Sequence, residues 1–159
     1  MKRADDISDQ PRSAVAKLPV AAAIVALVGL VDSVYLTIKH ATAEPVPCSI
    51  IDGCEQVLTS AYAELGGVPL AAFGAAAYAA AIVLALGAAF RGRVFWTLFG
   101  ILALVMEHFS LWLIFVQASL IGAFCQFCLL SALTSITLLI IFILSLSTGR
   151  GPRESEPVS

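Results

Sequence analysis

Between Arg93 and Arg150 lie 56 residues whose only acidic or basic side chains are Glu107 and His108. About a quarter of the residues in an ordinary soluble domain are charged, so a stretch this bare does not belong to a soluble surface. A bilayer core about 30 Å thick needs roughly 20 apolar residues of helix. The stretch is long enough for two crossings of about 25 residues with a short turn between them. Gly122 breaks the apolar run and puts that turn at 119–124.

Two more crossings precede these. Leu18 to Ile38 is apolar except for Asp32 and a few hydroxyls, and Leu65 to Phe90 carries no charge over 26 residues. Spanning segments must satisfy their backbone groups within helices or a closed barrel. No period-2 alternation is present, so helices are expected at about 18–39, 68–90, 94–118 and 125–147. The fold class is an all-α membrane protein, a four-transmembrane-helix bundle over 18–148. An external loop would carry a short interfacial helix, Glu55 to Tyr62. A tail over 1–17 and a polar, Pro-containing, disordered tail over 149–159 would flank it.

Basic residues orient the bundle. Lys2, Arg3, Arg12 and Lys17 precede the first span, Arg91 and Arg93 join the second to the third, and Arg150 and Arg153 follow the fourth. With four spans all eight fall on one side, and only Lys39 falls on the other. The positive-inside rule makes the first side cytoplasmic. Both termini are then cytoplasmic, and the 40–64 loop and the 119–124 turn are external. The protein is expected in the inner or plasma membrane, among lipid. A net charge of −2 leaves no basic patch for nucleic acid.

That orientation uses no cysteine, yet it puts all four on the external face. Cys125-Gln-Phe-Cys128 is a C-x-x-C motif where the fourth span begins, and Cys48 and Cys54 lie in the external loop. A helix N-terminus favours a thiolate, and thiolates attack disulfides. Two other readings of the four cysteines remain, both in a protein that is no enzyme: structural disulfides, or a metal site built from all four thiolates. The external side favours oxidation over stable metal thiolates, so no metal is expected. In the loop, Pro45, Pro47 and Gly53 favour turns, and the cysteine spacing permits a Cys48–Cys54 bond without requiring one.

The order Cys48-x5-Cys54, Ser60, Gly67-Val68-Pro69-Leu70, then Phe124-Cys125-Gln-Phe-Cys128-Leu-Leu-Ser131-Ala132, resembles bacterial homologues of vitamin K epoxide reductase. The Asp32-Ser-Val-Tyr35-Leu-Thr37 segment is similar to that family as well. The other quinone-linked four-helix oxidase family, typified by DsbB, has its C-x-x-C in the first external loop, the reverse of the order here. The resemblance implies a quinone-dependent thiol–disulfide oxidoreductase, with menaquinone or ubiquinone as cofactor. Cys128 would stand nearest the quinone and Cys125 would be attacked by Cys54. Cys48 would exchange with a thioredoxin-like or DsbA-like partner supplied in trans, since many bacterial members carry such a domain fused and none is expected here. Electrons would flow from Cys48/Cys54 to Cys125/Cys128 to quinone, supporting disulfide formation in exported proteins. Ser60 matches a family position near the active site and is a candidate quinone contact.

Asp32, Glu107 and His108 fall inside predicted spans, where ionisable groups are costly and are functional candidates by default. Quinone reduction consumes protons, so all three are candidates for proton transfer. Glu107 and His108 are adjacent and point about 100° apart on a helix. Trp96 and Trp112 lie near the ends of the third span, where aromatic belts form.

Overall fold

A computed structural model describes residues 10–48 and 53–147. The expected disordered tail and most of the N-terminal tail lie outside the described residues. In chain order the elements are α1 (Gln10–Ala41), α2 (Cys54–Leu58), strands β1 (Glu64–Leu65) and β2 (Val68–Pro69), α3 (Leu70–Arg91), α4 (Arg93–Val116), one wide π-helical turn (Gln117–Ile121), and α5 (Gln126–Ser147).

Among the described residues, four helices are long and apolar enough to cross a membrane: Lys17–Ala41, Leu70–Arg91, Arg93–Ile121 and Gln126–Ser147. The shortest, at 22 residues, rises about 33 Å at 1.5 Å per residue, enough for the hydrocarbon core. The bundle is an all-α four-helix membrane fold, as expected. Its edges differ from the expected ones in two places. The first helix starts at Gln10 instead of Leu18, because a helix need not stop where the lipid does. The third continues past 118 through the π turn to Ile121. There Gly122, at φ 70°, enters the left-handed region open to glycine. Its N–H bonds Gln117 O at 2.9 Å and closes the turn.

The helices form a ring in which α1 packs on α3 and α5, and α4 packs on the same two. Small residues bring α1 and α3 together: Ala22 and Ala26 of α1 and Ala81 and Ala85 of α3 are buried in one core cluster. A Cβ at Gly29 would run into the Tyr78 ring. In lipid such close backbone approach supplies the packing that a hydrophobic drive cannot. The large apolar residues mostly face outward, as at Val31, Phe90 and Leu133. Asp32, Glu107, Gln117, Ser135 and Ser145 face inward. Trp96, read from sequence as a belt residue, is only 2% exposed. It stacks on Phe99 and donates its indole N–H to Ser145 Oγ at 2.7 Å.

The loop between α1 and α3 closes one end of the ring. The expected interfacial helix is shorter than Glu55 to Tyr62, spanning Cys54–Leu58. Behind it, β1 and β2 pair antiparallel around Gly66 and Gly67, whose φ values of 61° and 82° suit a two-residue hairpin turn. His40 at the end of α1 meets Glu64 of β1 at 2.7 Å, which ties the hairpin to the bundle.

Candidate thiol and cavity site

The two cysteine pairs are 71 residues apart at their nearest (Cys54 and Cys125), yet they meet at one end of the bundle. Cys54, Val57, Ala123 and Cys125 form a single buried cluster, with Cys48 and Cys128 packed against it. Cys48 and Cys54 are joined as a disulfide with a Cα–Cα distance of 6.2 Å, while Cys125 and Cys128 are free thiols. Among the described residues, no three His, Cys, Asp or Glu side chains converge as metal ligands.

Gly53 lets the loop come this close. A Cβ there would lie 2.5 Å from Phe124 O and 2.9 Å from Phe124 N. The loop backbone therefore lies directly on the turn that carries Cys125. That turn is held from below by Gln117, a residue that no sequence motif singled out. Gln117, 2% exposed, accepts the Cys125 backbone N–H through Oε1 at 2.9 Å. The clue available in sequence was an amide inside an otherwise apolar run.

Cys125 lies in the turn between the third and fourth spans, fully buried. The Cys128 thiol donates a hydrogen bond to its sulfur, and the backbone N–H groups of Cys128 and Phe127 add to this. Together they outweigh burial and bring the Cys125 thiol down from 9.0 to about 7. The expectation that the start of a helix would favour a thiolate thus has a concrete form here: the first N–H groups of α5 point at Cys125.

Cys128 also lines a cavity of about 360 Å³ bounded by α1, α3, α4, α5 and the loop between α1 and α3. The wall is mainly apolar, with Leu36, Ala77, Leu102 and Met106 among its residues, and has a few polar groups: Asp32, Ser33, Ser60, Tyr78 and Ser131. A size of a few hundred Å³, apolar walls and a handful of convergent polar groups describe a small-molecule site. Tyr78 is locked in place, its hydroxyl 2.7 Å from Ser131 O and 2.6 Å from Thr134 Oγ1. Ser60 donates to Val57 O at 2.7 Å, which leaves its oxygen lone pairs free to accept.

A family model described as the vitamin K epoxide reductase family matches residues 20–143, from the first span through the fourth. The chain belongs to that family. Membership makes it a multi-pass membrane oxidoreductase working through thiols, in a vitamin K epoxide reductase family that is linked to quinones and to thioredoxin-like partners.

The three ionisable residues of the spans go to different places. Asp32 lines the cavity. Glu107 is buried between α4 and α5, where Ser135 Oγ donates to its Oε2 at 2.8 Å. Ser135 is in turn 3.0 Å from Ser110 Oγ. His108 is on the exposed, outward side of α4, away from the cavity wall.

Proposed function

We propose that this protein is a quinone-dependent thiol oxidase that reoxidises a thioredoxin-like partner and so supports disulfide formation in exported proteins. One observation carries the reading. All four cysteines gather in one cluster, with Cys48 bonded to Cys54, Cys128 hydrogen-bonded to Cys125, and Cys128 on the cavity wall, which supports a relay in the order Cys48, Cys54, Cys125, Cys128.

The steps follow from that order. A partner dithiol reduces the Cys48–Cys54 disulfide through Cys48, the more exposed of the pair, and leaves as a disulfide. The Cys54 thiolate then attacks Cys125 Sγ of an oxidised Cys125–Cys128 pair, and Cys128 leaves as a thiolate. Cys48 resolves the mixed disulfide, so two electrons have moved inward and the loop pair is oxidised again. A low-pKa thiol at Cys125 suits this exchange, since thiolates are both the attacking and the better leaving species.

A membrane quinone in the cavity would accept two electrons and two protons. Cys128 and Ser60 stand on the wall where it would be held, and the apolar side chains around them keep water out. The positive-inside rule supports a cytoplasmic Arg91–Arg93 turn, which puts the cysteine end on the external face, where partner thiols are oxidised.

The relay is tested by Cys48→Ala. The variant is expected to lose turnover with a reduced thioredoxin-like protein and to keep exchange with a small dithiol. A variant that oxidises the protein partner at the normal rate would sink the relay.

A further inference from the structure

Asp32 is 6% exposed, and its Oδ2 is the only buried side-chain N or O atom without a hydrogen-bond partner among the described residues. Buried polar atoms are nearly always paired, and an exception asks for a ligand or a function. This one belongs to a residue that lines the cavity also walled by Cys128. Among the described residues, no Lys or Arg lines the cavity with it. The other titratable groups on the wall, among the described residues, are His40 at the outer end of α1, Tyr62 on the loop, Tyr78 from α3 and Cys128 from α5. From α4 the wall receives no acid or base, Glu107 being turned to Ser135. Tyr78 is already committed to Ser131 and Thr134. An ionised carboxylate with no cation beside it is costly in apolar surroundings, whereas a carboxylic acid offers one O–H donor.

We propose that Asp32 is the acid of the quinone cavity. Its carboxyl O–H donates a hydrogen bond to one carbonyl oxygen of a bound quinone and hands that oxygen a proton as the oxygen gains charge. The inference rests on the quinone reading above. The balance closes within it. Cys125 and Cys128 go from two thiols to one disulfide, and the two electrons and two protons they lose convert quinone to quinol. Asp32 lends one proton to the carbonyl oxygen and recovers one from the thiol pair, so it is unchanged at the end of a turnover. The unpaired Oδ2 is the atom that the ligand would satisfy.

The experiment uses full-length protein in detergent, with a soluble short-chain quinone as the probe. Infrared difference spectra of wild-type protein, with and without the quinone, should show a protonated carboxyl C=O band that shifts on binding and is missing in Asp32→Asn. Quinone reduction by Asp32→Asn should fall about 100-fold, the usual contribution of a positioned acid, with KM little changed. Asp32→Glu should recover part of the rate. Exchange between the loop pair and Cys125/Cys128, followed without quinone, should stay at the wild-type rate, which a general packing defect would not allow. Wild-type turnover in Asp32→Asn across the neutral pH range, or the absence of any quinone-sensitive carboxyl band in wild-type protein, overturns the assignment of Asp32 alone. Wild-type protein that reduces no quinone with any thiol donor overturns the quinone reading itself. The infrared measurement on wild-type protein stands even if a variant fails to fold.

Discussion

Adding one carbon at Gly53 should uncouple the two cysteine pairs. Gly53 has a negative φ, −137° with ψ 0°, so Gly53→Ala needs no left-handed backbone and its main effect is the steric one. The new Cβ would sit 2.5 Å from Phe124 O, where ordinary contact begins at 3.4 Å. The neighbours are backbone atoms of the turn carrying Cys125, together with the Ala123 Cβ at 3.1 Å, and none of them can swing aside. The loop must therefore retreat by about 1 Å, and Cys54, the next residue, retreats with it. A misplacement of about 1 Å from a reactive geometry costs about 100-fold in rate. Overpacking of this kind destabilises by about 1–3 kcal/mol, which leaves the bundle folded. The assay is a Cys48→Ala/Cys128→Ala background, in which Cys54 and Cys125 are the only cysteines left. Formation of the Cys54–Cys125 disulfide is timed by gel mobility after thiol labelling. With Gly53→Ala the bond should form about 10- to 100-fold more slowly. An unchanged rate would refute the idea that the Gly53–Phe124 contact sets the approach of the pairs.

Gln117→Leu leaves the Cys125 N–H unpaired and should cost about 1–3 kcal/mol, read as a lower midpoint of thermal unfolding in detergent. Trp96→Phe deletes the bond to Ser145 at the far end of the bundle. It should cost about 0.5–1.5 kcal/mol while thiol exchange proceeds at the normal rate. In reduced protein the thiolate absorbance of Cys125 should rise through about pH 7. Cys128→Ala, which removes the thiol donor, should move that midpoint up toward 9.0. Because the folded pKa is depressed, Cys125 stabilises the reduced fold above the ordinary thiol pKa, and this contribution disappears as pH falls through about 7. Unfolding of the reduced protein, followed on both sides of that pH, checks the sign.

The spans were legible because lipid imposes a length and a composition that the sequence must display. Their ends were not, since neither the continuation of α1 back to Gln10 nor the π turn beyond Val116 alters hydropathy. The cysteine end was legible from topology alone: four crossings put both pairs on one face before any contact was known. What hydropathy could not say is which way a residue in a span faces. Glu107 and His108 stood as equal candidates, yet one turns inward to Ser135 and the other outward. Trp96 had the look of a belt residue, and its burial follows from partners distant in sequence or on its own inner face, the Ser145 hydroxyl across the bundle and the Phe99 ring. Gly53 read as a loop breaker, because the close approach that needs it depends on Phe124, far along the chain. Gln117 did carry a signal, a lone amide in an apolar run. Its partner is a backbone N–H, which no side-chain motif announces.

The most direct measurement is quinone reduction by the purified protein in detergent, driven by a reduced thioredoxin-like donor, beside the Cys128→Ala variant. Cys128 is the cysteine on the cavity wall, so turnover should be present in the wild type and absent in the variant with every donor. Turnover that survives Cys128→Ala would contradict the path from loop to cavity through this thiol.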